Sequence, residues 1–387
     1  MNIFYTACID VNVDNADSRH VLEVCESFSR SGHNVSLFVP KIKKYRKKTD
    51  LKIIYVATPA KSVLLNYLLF YIFLIPYILV AYFKYKPDVL YSRYMASEIV
   101  ITMIMKLLGC RYIAEVNGAF LDELRLKKSN SLLIKAVKIF ENRLFNVADK
   151  IIVVTSGLKD YINCTFNIAI DKIAVVNNGV NTDISRPLDI NKCKEELGLD
   201  KNRDYIVFVG SLRLWHGVNR LVEIVKYLSE KKDNICLLVV GSGPEEERLS
   251  KQISEASLTN KILMTGKVQH ERVPLYIGSS LVCIAPYPDT VVSQHGFSSL
   301  KIREYMSCGR PIVTTNVGGL YEFVAENGCG TVVENNTDYE IAETILETIN
   351  NKQEWQNISN TARRYATDNL SWDSAANNII SIINSSS

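Results

Sequence analysis

The residues best suited to chemistry lie between Gly296 and Thr315, in the segment GFSSLKIREYMSCGRPIVTT. Small residues at 296–299 let backbone N–H groups come close to an anion, and a helix starting just after them adds its positive dipole end at the same place. Lys301 supplies a point charge, and Glu304, one turn further on, is placed to accept hydrogen bonds from hydroxyls. A diphosphate next to sugar hydroxyls calls for all of these groups, so the segment points to a nucleotide-sugar.

Other segments fit the same ligand less specifically. Gly210-Ser-Leu-Arg-Leu-Trp-His-Gly217 follows an apolar run and precedes a helical pattern. That puts Arg213 and His216 at a strand end, where a phosphate would bind, although an ordinary strand–helix loop with a stacked Trp accounts for the segment too. Gly241-Ser-Gly243-Pro244 suits a phosphate or ribose neighbour and suits a plain turn nearly as well. Val268 has backbone groups to offer a base edge, and Asp289, in the Pro-rich loop 285–293, is a candidate for a sugar hydroxyl or for plain solvation. In the first half, His20, Arg93 and Asn117 each stand near the end of a strand pattern, and each has an equally good structural reading. No HExxH, P-loop or Ser–His–Asp spacing is present, which leaves metal hydrolysis, kinase chemistry and serine hydrolysis unsupported.

Positioning these groups requires an α/β framework. Apolar runs at Asn2–Ala7, 34–39, 52–55, 89–92, 112–115 and 150–155 alternate with helical patterns such as 18–31 and 98–108. This alternation predicts a parallel sheet covered on both faces, with ligands beyond the carboxyl ends of its strands. Residues 177–190, rich in Asn, Asp, Gly and Pro, read as a linker. A second alternation follows, with strands expected at 205–209, 235–240, 262–265, 281–285, 311–314 and 330–333 and helices including 217–230 and 244–254.

Length and composition agree with two domains. The chain has 387 residues, 47% apolar and 22% charged. Its nine cysteines are scattered without a CxxC pair, which predicts reduced, mostly buried thiols and a cytoplasmic setting. Residues 1–185 carry 24 Lys/Arg against 16 Asp/Glu, a balance of +8, and the rest carry 21 against 25, a balance of −4. The basic half includes the run from Lys41 to Lys48, which reads as a solvated loop or as a site attracted to an anionic membrane or phosphorylated acceptor. Nucleic acid is not expected, because no aromatic-rich basic strand accompanies the run. The opening MNIFYTACID reaches Asp10 too soon for a cleavable signal peptide. The run from Val63 to Phe83 is long enough to span a bilayer, but Asn66 and Pro76 interrupt it and it lies between two strands of one sheet. A buried or membrane-surface helix is the expectation.

Taken together, these segments resemble the retaining glycosyltransferases of family 4. The resemblance spans nearly the whole chain, through Arg19-His20, Ser31–Val35, Glu115-Val-Asn117-Gly118, Ala148-Asp149 and Asn177–Asp183. The strongest matches are GSLRLWHGV, VVGSGPEEERL, SSLKIREYMSCGRPIV and the closing Leu370-Ser-Trp372. It implies the GT-B architecture, two Rossmann-like doubly wound domains facing a central cleft. Residues 1–183 would bind the acceptor, 184–368 the nucleotide-sugar, and a helix in 369–387 would cross back to the first domain.

By the same resemblance, Arg213 and Lys301 hold the donor diphosphate, with backbone N–H groups near Phe297, Ser298, Ser299 and Leu300, and Glu304 binds the ribose. These three charged residues are the expected catalytic set. Ser211, His216, Gly241, Gly243 and Val268 complete the donor side, and His20, Arg93 and Asn117 are acceptor-side or sugar-side candidates. The implied reaction is direct sugar transfer with retained anomeric configuration, without a protein nucleophile. No metal or other cofactor is expected, since no paired-acid DxD motif is seen. Separately, the hydrophobic 63–83 segment and the basic first half favour a glycan or lipid-linked acceptor of surface polysaccharide or glycolipid assembly, met at the inner face of the cell membrane through peripheral contact.

Three departures stand out. Gly296 replaces the first of two glutamates that the family commonly spaces eight residues apart, leaving open a degenerate protein that binds nucleotide or glycan without transfer. His216 stands where many members have Lys, so a partly charged His would have to assist Arg213. Ala16-Asp17-Ser18 replaces the Gly-Gly of the family's first loop. An epimerase would need a carboxylate pair, and a dehydrogenase a G-x-G-x-x-G after the first strand, neither of which is evident.

Overall fold

The computed structural model describes residues 1–42, 49–57, 63–126, 128–290, 295–296 and 298–385. The candidate Phe297, most of the basic run after Lys41, and 291–294 of the Pro-rich loop lie outside the described residues. The chain forms two compact units, Met1–Gly179 with Trp372–Ser387, and Val180–Ser371.

The first unit is built on seven parallel strands. These are β1 (Asn2–Ala7), β2 (Asn34–Pro40), β3 (Lys52–Val56), β4 (Val89–Arg93), β5 (Arg111–Val116), β6 (Lys150–Val153) and β7 (Ile173–Val175), in the order β3-β2-β1-β4-β5-β6-β7. β7 is the strand the sequence did not announce; three residues with one fully buried are too few to show a period of two. The strand order reverses between β1 and β4, which makes their carboxyl ends the switch point where such sheets bind ligands.

Side chains alternate across the sheet as the pleat requires. Phe4, Phe38, Leu90 and Tyr112 join a core covered by α2 (Val63–Tyr85), α3 (Ile99–Leu107), α4 (Phe120–Leu126), α5 (Ser131–Val147) and α6 (Ser156–Phe166). On the opposite face Tyr91 meets Phe28 of α1 (Ala16–Arg30), with ring centroids 5.6 Å apart. α1 begins two residues before the expected Ser18, because Asn15 caps it by accepting from the Ser18 N–H at 2.9 Å.

The apolar run expected to be buried or at a membrane surface is α2, whose Phe70, Leu74 and Ile78 are in the core. Among the described residues no helix is long and apolar enough to cross a membrane. All nine cysteines are free, and only Cys164 is exposed.

The second unit has six parallel strands, β8 (Asp204–Val209), β9 (Ile235–Val240), β10 (Ile262–Gly266), β11 (Val282–Ala285), β12 (Ile312–Thr315) and β13 (Gly330–Val333), in the order β10-β9-β8-β11-β12-β13. Here the reversal lies between β8 and β11. The helices are α7 (Ile190–Glu196), α8 (Leu221–Lys231), α9 (Glu246–Glu255), α10 (Val273–Gly278), α11 (Leu300–Ser307), α12 (Asp338–Asn350) and α13 (Lys352–Asn369).

The chain then returns to the first unit as α14 (Trp372–Asn384), which packs on α1. Its Trp372 lies so close to Gly179 that a Cβ there would come within 2.6 Å of Trp372 Cα and Cδ2. Arg30 donates two hydrogen bonds to Asp373, at 2.7 and 3.0 Å, and Ser31 donates one to Asn377.

Candidate functional site

In the second unit the loops after β8, β9, β10 and β11 and the start of α11 carry the donor-side candidates. Ser299 caps α11 by accepting from the Ile302 N–H, and its hydroxyl is 2.8 Å from the Tyr287 hydroxyl. Arg303, fully buried beneath the turn, donates to the Ser299 carbonyl at 3.0 Å and lies over the Phe323 ring at 4.7 Å. The 298–299 turn is therefore held from below by two side chains that the motif did not single out. Tyr305 ties α11 to the sheet, its hydroxyl accepting from the Val209 N–H at 2.8 Å.

Lys301 is the electrostatic centre of this region. It is 7% exposed, and its Nζ has no hydrogen-bond partner among the described residues. The ammonium lies 4.1 Å from the centroid of Phe208 and 5.3 Å from that of Tyr287, contacts that offset only part of the loss of water. Burial pulls its pKa down to about 7, with Glu304 acting weakly in the other direction. Gly210 makes room for it: with φ +140 and no side chain, it lets Cε and Nζ approach to 3.0 Å of where a Cβ would stand.

The other glycines have a packing role. A Cβ on Gly241 would meet the Gly210 carbonyl oxygen at 2.0 Å, and one on Gly243 would meet Leu212 backbone at 2.5 Å. The GSG segment is small because two loops cross there, which favours its plain-turn reading.

His216 departs from expectation. Its Nδ1–H donates to the Ser211 carbonyl at 2.7 Å, and burial, reinforced by the Lys301 charge, pulls its pKa down to about 3. The imidazole is neutral and presents an acceptor at Nε2, so the partly charged His of the sequence reading is corrected. Arg213 is exposed, its guanidinium over Trp215 at 4.9 Å. Val268 is half-buried against the core beside β10. Glu304 is buried, and its Oε1 lies 3.6 Å from His270 Nδ1. The sequence reading passed over His270; a His two residues beyond Val268 was the available signal.

In the first unit, the carboxyl ends of the central strands bring His20, Arg93 and Asn117 around a buried carboxylate, Glu115. His20 Nε2 bonds Glu115 Oε1, Asn117 donates to the same oxygen at 2.6 Å, and the Tyr5 hydroxyl donates to Oε2 at 2.7 Å. Burial alone would raise the Glu115 pKa, but His20, Arg93 and Asn117 together bring it down to about 2. Arg93 also donates to Asp17 at 2.6 Å. His20 is stacked edge-on against Trp372, and its buried Nδ1 has no hydrogen-bond partner among the described residues. The sequence reading noticed Glu115 only as a strand end. A carboxylate inside an apolar strand was the signal that it is the hub. Among the described residues no group of three or more His, Cys, Asp or Glu side chains could hold a metal ion.

The comparisons with known proteins agree across the chain. Residues 18–184 match the family Glycosyltransferase Family 4, and 189–365 match Glycosyl transferases group 1. An uncharacterized glycosyltransferase of Methanocaldococcus jannaschii is 26% identical over 372 residues, 91% of this chain and 90% of that protein. The solved sucrose-phosphate synthase of Thermosynechococcus elongatus superposes with a TM-score of 0.78 at 16% identity, covering 99% of this chain and 98% of that one. Anabaena HepE in complex with UDP-glucose gives 0.75 at 16% identity, covering all of both chains. Two doubly wound parallel sheets, both family matches and a relative aligned over nine-tenths of its length lead to one assignment: the chain belongs to the family 4 glycosyltransferases of GT-B fold.

Proposed function

We propose that the protein is a retaining glycosyltransferase that takes its sugar from a nucleotide-sugar bound in the second unit. The observation that carries this is Lys301, a buried ammonium without a hydrogen-bond partner among the described residues, at the first turn of α11, with the Glu304 carboxylate one turn on. A diphosphate would supply the missing anion, and the backbone N–H groups at 298–300 together with Arg213 would share its charge. Glu304 is the acceptor for ribose hydroxyls, and the neutral His216 has an Nε2 lone pair for a sugar or ribose hydroxyl. HepE, of the same fold, holds UDP-glucose, which supports a donor of this class.

In the proposed reaction the bond between the anomeric carbon and the diphosphate oxygen breaks while the acceptor oxygen bonds that carbon on the same face. The acceptor proton passes to the departing phosphate. Lys301, Arg213 and the α11 dipole stabilise the charge growing on the diphosphate, a group of fixed positive charges aimed where negative charge develops. The strand-end cluster of His20, Arg93 and Asn117 serves the acceptor side, with Glu115 holding His20 and Asn117 in place. A glycan or lipid-linked acceptor in surface polysaccharide or glycolipid assembly fits the basic first half of the chain.

Calorimetry with UDP, GDP, ADP and CMP, on the wild type and on Glu304→Ala, tests the donor site. One nucleotide should bind best and lose about ten- to a hundredfold in affinity on substitution, the worth of a charge-assisted bond. Four silent nucleotides, or an unchanged affinity, would sink the assignment. Transfer of sugar to any acceptor, or hydrolysis of the donor, would exclude a degenerate binding protein.

A further inference from the structure

Exposed apolar surface is unevenly shared between the two units. Among the described residues, fourteen of the large apolar side chains more than about a third exposed belong to the first unit and four to the second. Most of the fourteen lie on one side, on the helix layer whose inner face covers the sheet. There α2 packs on α3 and α3 packs on α5. Each helix is apolar on its inner face, as a core demands, and apolar again on its outer face, where a solvated helix should be polar.

The outward residues form helical stripes. On α2 they are Ile72, Val80 and Phe83, the last two 72% and 73% exposed. On α3 they are Val100, Met103 and Leu107, spaced by three and four, with Leu107 84% exposed. On α5, Leu132, Leu133, Ile139 and Phe140 repeat after seven residues.

The charges among these stripes are of one sign. α2 and α3 contain no acidic residue, and α5 contains one, Glu141, which is 1% exposed and bonded to Tyr94. The cations are Lys84 on α2, Lys106 on α3, where it pairs with Asp149, and Lys135, Lys138 and Arg143 on α5. The short α4 between α3 and α5 adds Asp122, paired with Arg125, and Glu123.

We infer that this α2–α3–α5 face docks on an anionic lipid bilayer, with the apolar stripes entering the interface and the cations meeting lipid phosphates. Apolar residues at helical spacing with basic neighbours and no exposed acid on the same helices are what such a surface recognises. A second copy of this chain fits less well. A two-fold contact through the face would set Lys135, Lys138 and Arg143 against the same cationic face of the other copy, with no exposed carboxylate on α2, α3 or α5 to balance them. The face belongs to described helices, so the inference does not depend on the basic run of 43–48, nor does it depend on the donor reading.

The test is sedimentation of the full-length protein with vesicles of phosphatidylcholine alone and of phosphatidylcholine mixed with phosphatidylglycerol, at low and high salt. Binding should require phosphatidylglycerol and weaken with salt. Lys135→Gln, Lys138→Gln and Arg143→Gln combined should lower it about a hundredfold, near fivefold for each cation removed. Phe83→Gln with Leu107→Gln should lower it at both salt concentrations, because these side chains act by burial. All five positions are exposed on helices, so melting temperature and nucleotide affinity should stay at wild-type values, which separates this failure from failure of the donor site. Absence of binding to the mixed vesicles, equal binding to both compositions, or wild-type binding by the variants would overturn the inference. So would a wild-type dimer in solution that the Phe83 and Leu107 substitutions convert to monomer, since the face would then belong to self-association.

Discussion

At the scale of single residues, the decisive feature is the protonation state of two side chains that sit within a few residues' reach of the same loop. Lys301, with a pKa of about 7, is only partly charged at neutral pH, whereas His216, at about 3, is neutral. In the proposed donor site a diphosphate would bind the charged form of Lys301 and restore its pKa toward the ordinary lysine value. Nucleoside diphosphate affinity should therefore be full below pH 7 and fall as pH rises above it, approaching tenfold per unit until the pKa of the bound state is reached. Calorimetry between pH 7 and 9, where the ligand's own ionisation is complete, reads this slope directly. Lys301→Met should lower the affinity and remove the slope; a wild-type affinity flat over that range would show that Lys301 does not face the phosphates. Folding has the opposite sign. A lysine with a lowered folded pKa destabilises the native state below pH 7, and that cost is relieved as pH rises toward the unfolded value.

At the scale of elements, buried polar groups tie helices to sheets and set how each element answers to pH or to substitution. Glu98, at the end of the short 3₁₀ turn Ala96–Glu98, is fully buried and bonded by Ser92 and Tyr112 of β4 and β5. Burial pushes its pKa up to about 7 despite those bonds. A carboxyl whose folded pKa is raised contributes stability below the unfolded value near 4.5 and loses it as pH rises toward 7. Between those limits the wild type should lose on the order of 3 kcal/mol relative to Glu98→Gln, read as diverging urea midpoints. Parallel pH curves for the two proteins would mean that Glu98 is ionised in the native state. In the second unit the loop after β8 depends on Gly217, at φ +76, where a Cβ would meet the Pro286 carbonyl oxygen at 1.8 Å. Gly217→Ala should cost at least about 2 kcal/mol through left-handed strain and displaced backbone, and should weaken nucleotide binding with it, because His216 is the neighbouring residue. An unchanged melting temperature would contradict this.

At the scale of the whole molecule, the last helix matters most. α14 leaves the second unit after Ser371 and completes the first, where Trp372 lies against Gly179 and stacks on His20. Trp372 is 5% exposed, so Trp372→Ala should remove about 3–5 kcal/mol from the first unit by opening a cavity. Because the Trp also borders the imidazole that Glu115 holds, the proposed acceptor-side role of His20 predicts that transfer falls while nucleotide affinity at the proposed donor site stays. Scanning calorimetry with and without nucleotide separates the two effects; equal destabilisation of both units would refute this division of roles.

The sequence by itself determined the fold class, because strand and helix periods, strand-end glycines and the Lys301–Glu304 spacing are local properties that survive in one dimension. It also put the donor-side candidates on loops that follow strands, since a strand followed by small residues and a helix N-terminus can be read without knowing the neighbours. Only the tertiary structure decided which groups carry charge. His216 is neutral because the walls around it remove water and because the charge of Lys301, 85 positions away in sequence, opposes a second one, and no local pattern records that environment. Glu115 became a hub rather than a strand end because β1 and α1 bring Tyr5 and His20 to it from across the first unit, to join Asn117 two residues on. The glycines of the GSG turn proved to be spacers between crossing loops, and β7 was too short to show its period. In each case the deciding quantity was distance through space, which depends on how the strands are ordered in the sheet and not on the residues taken one after another.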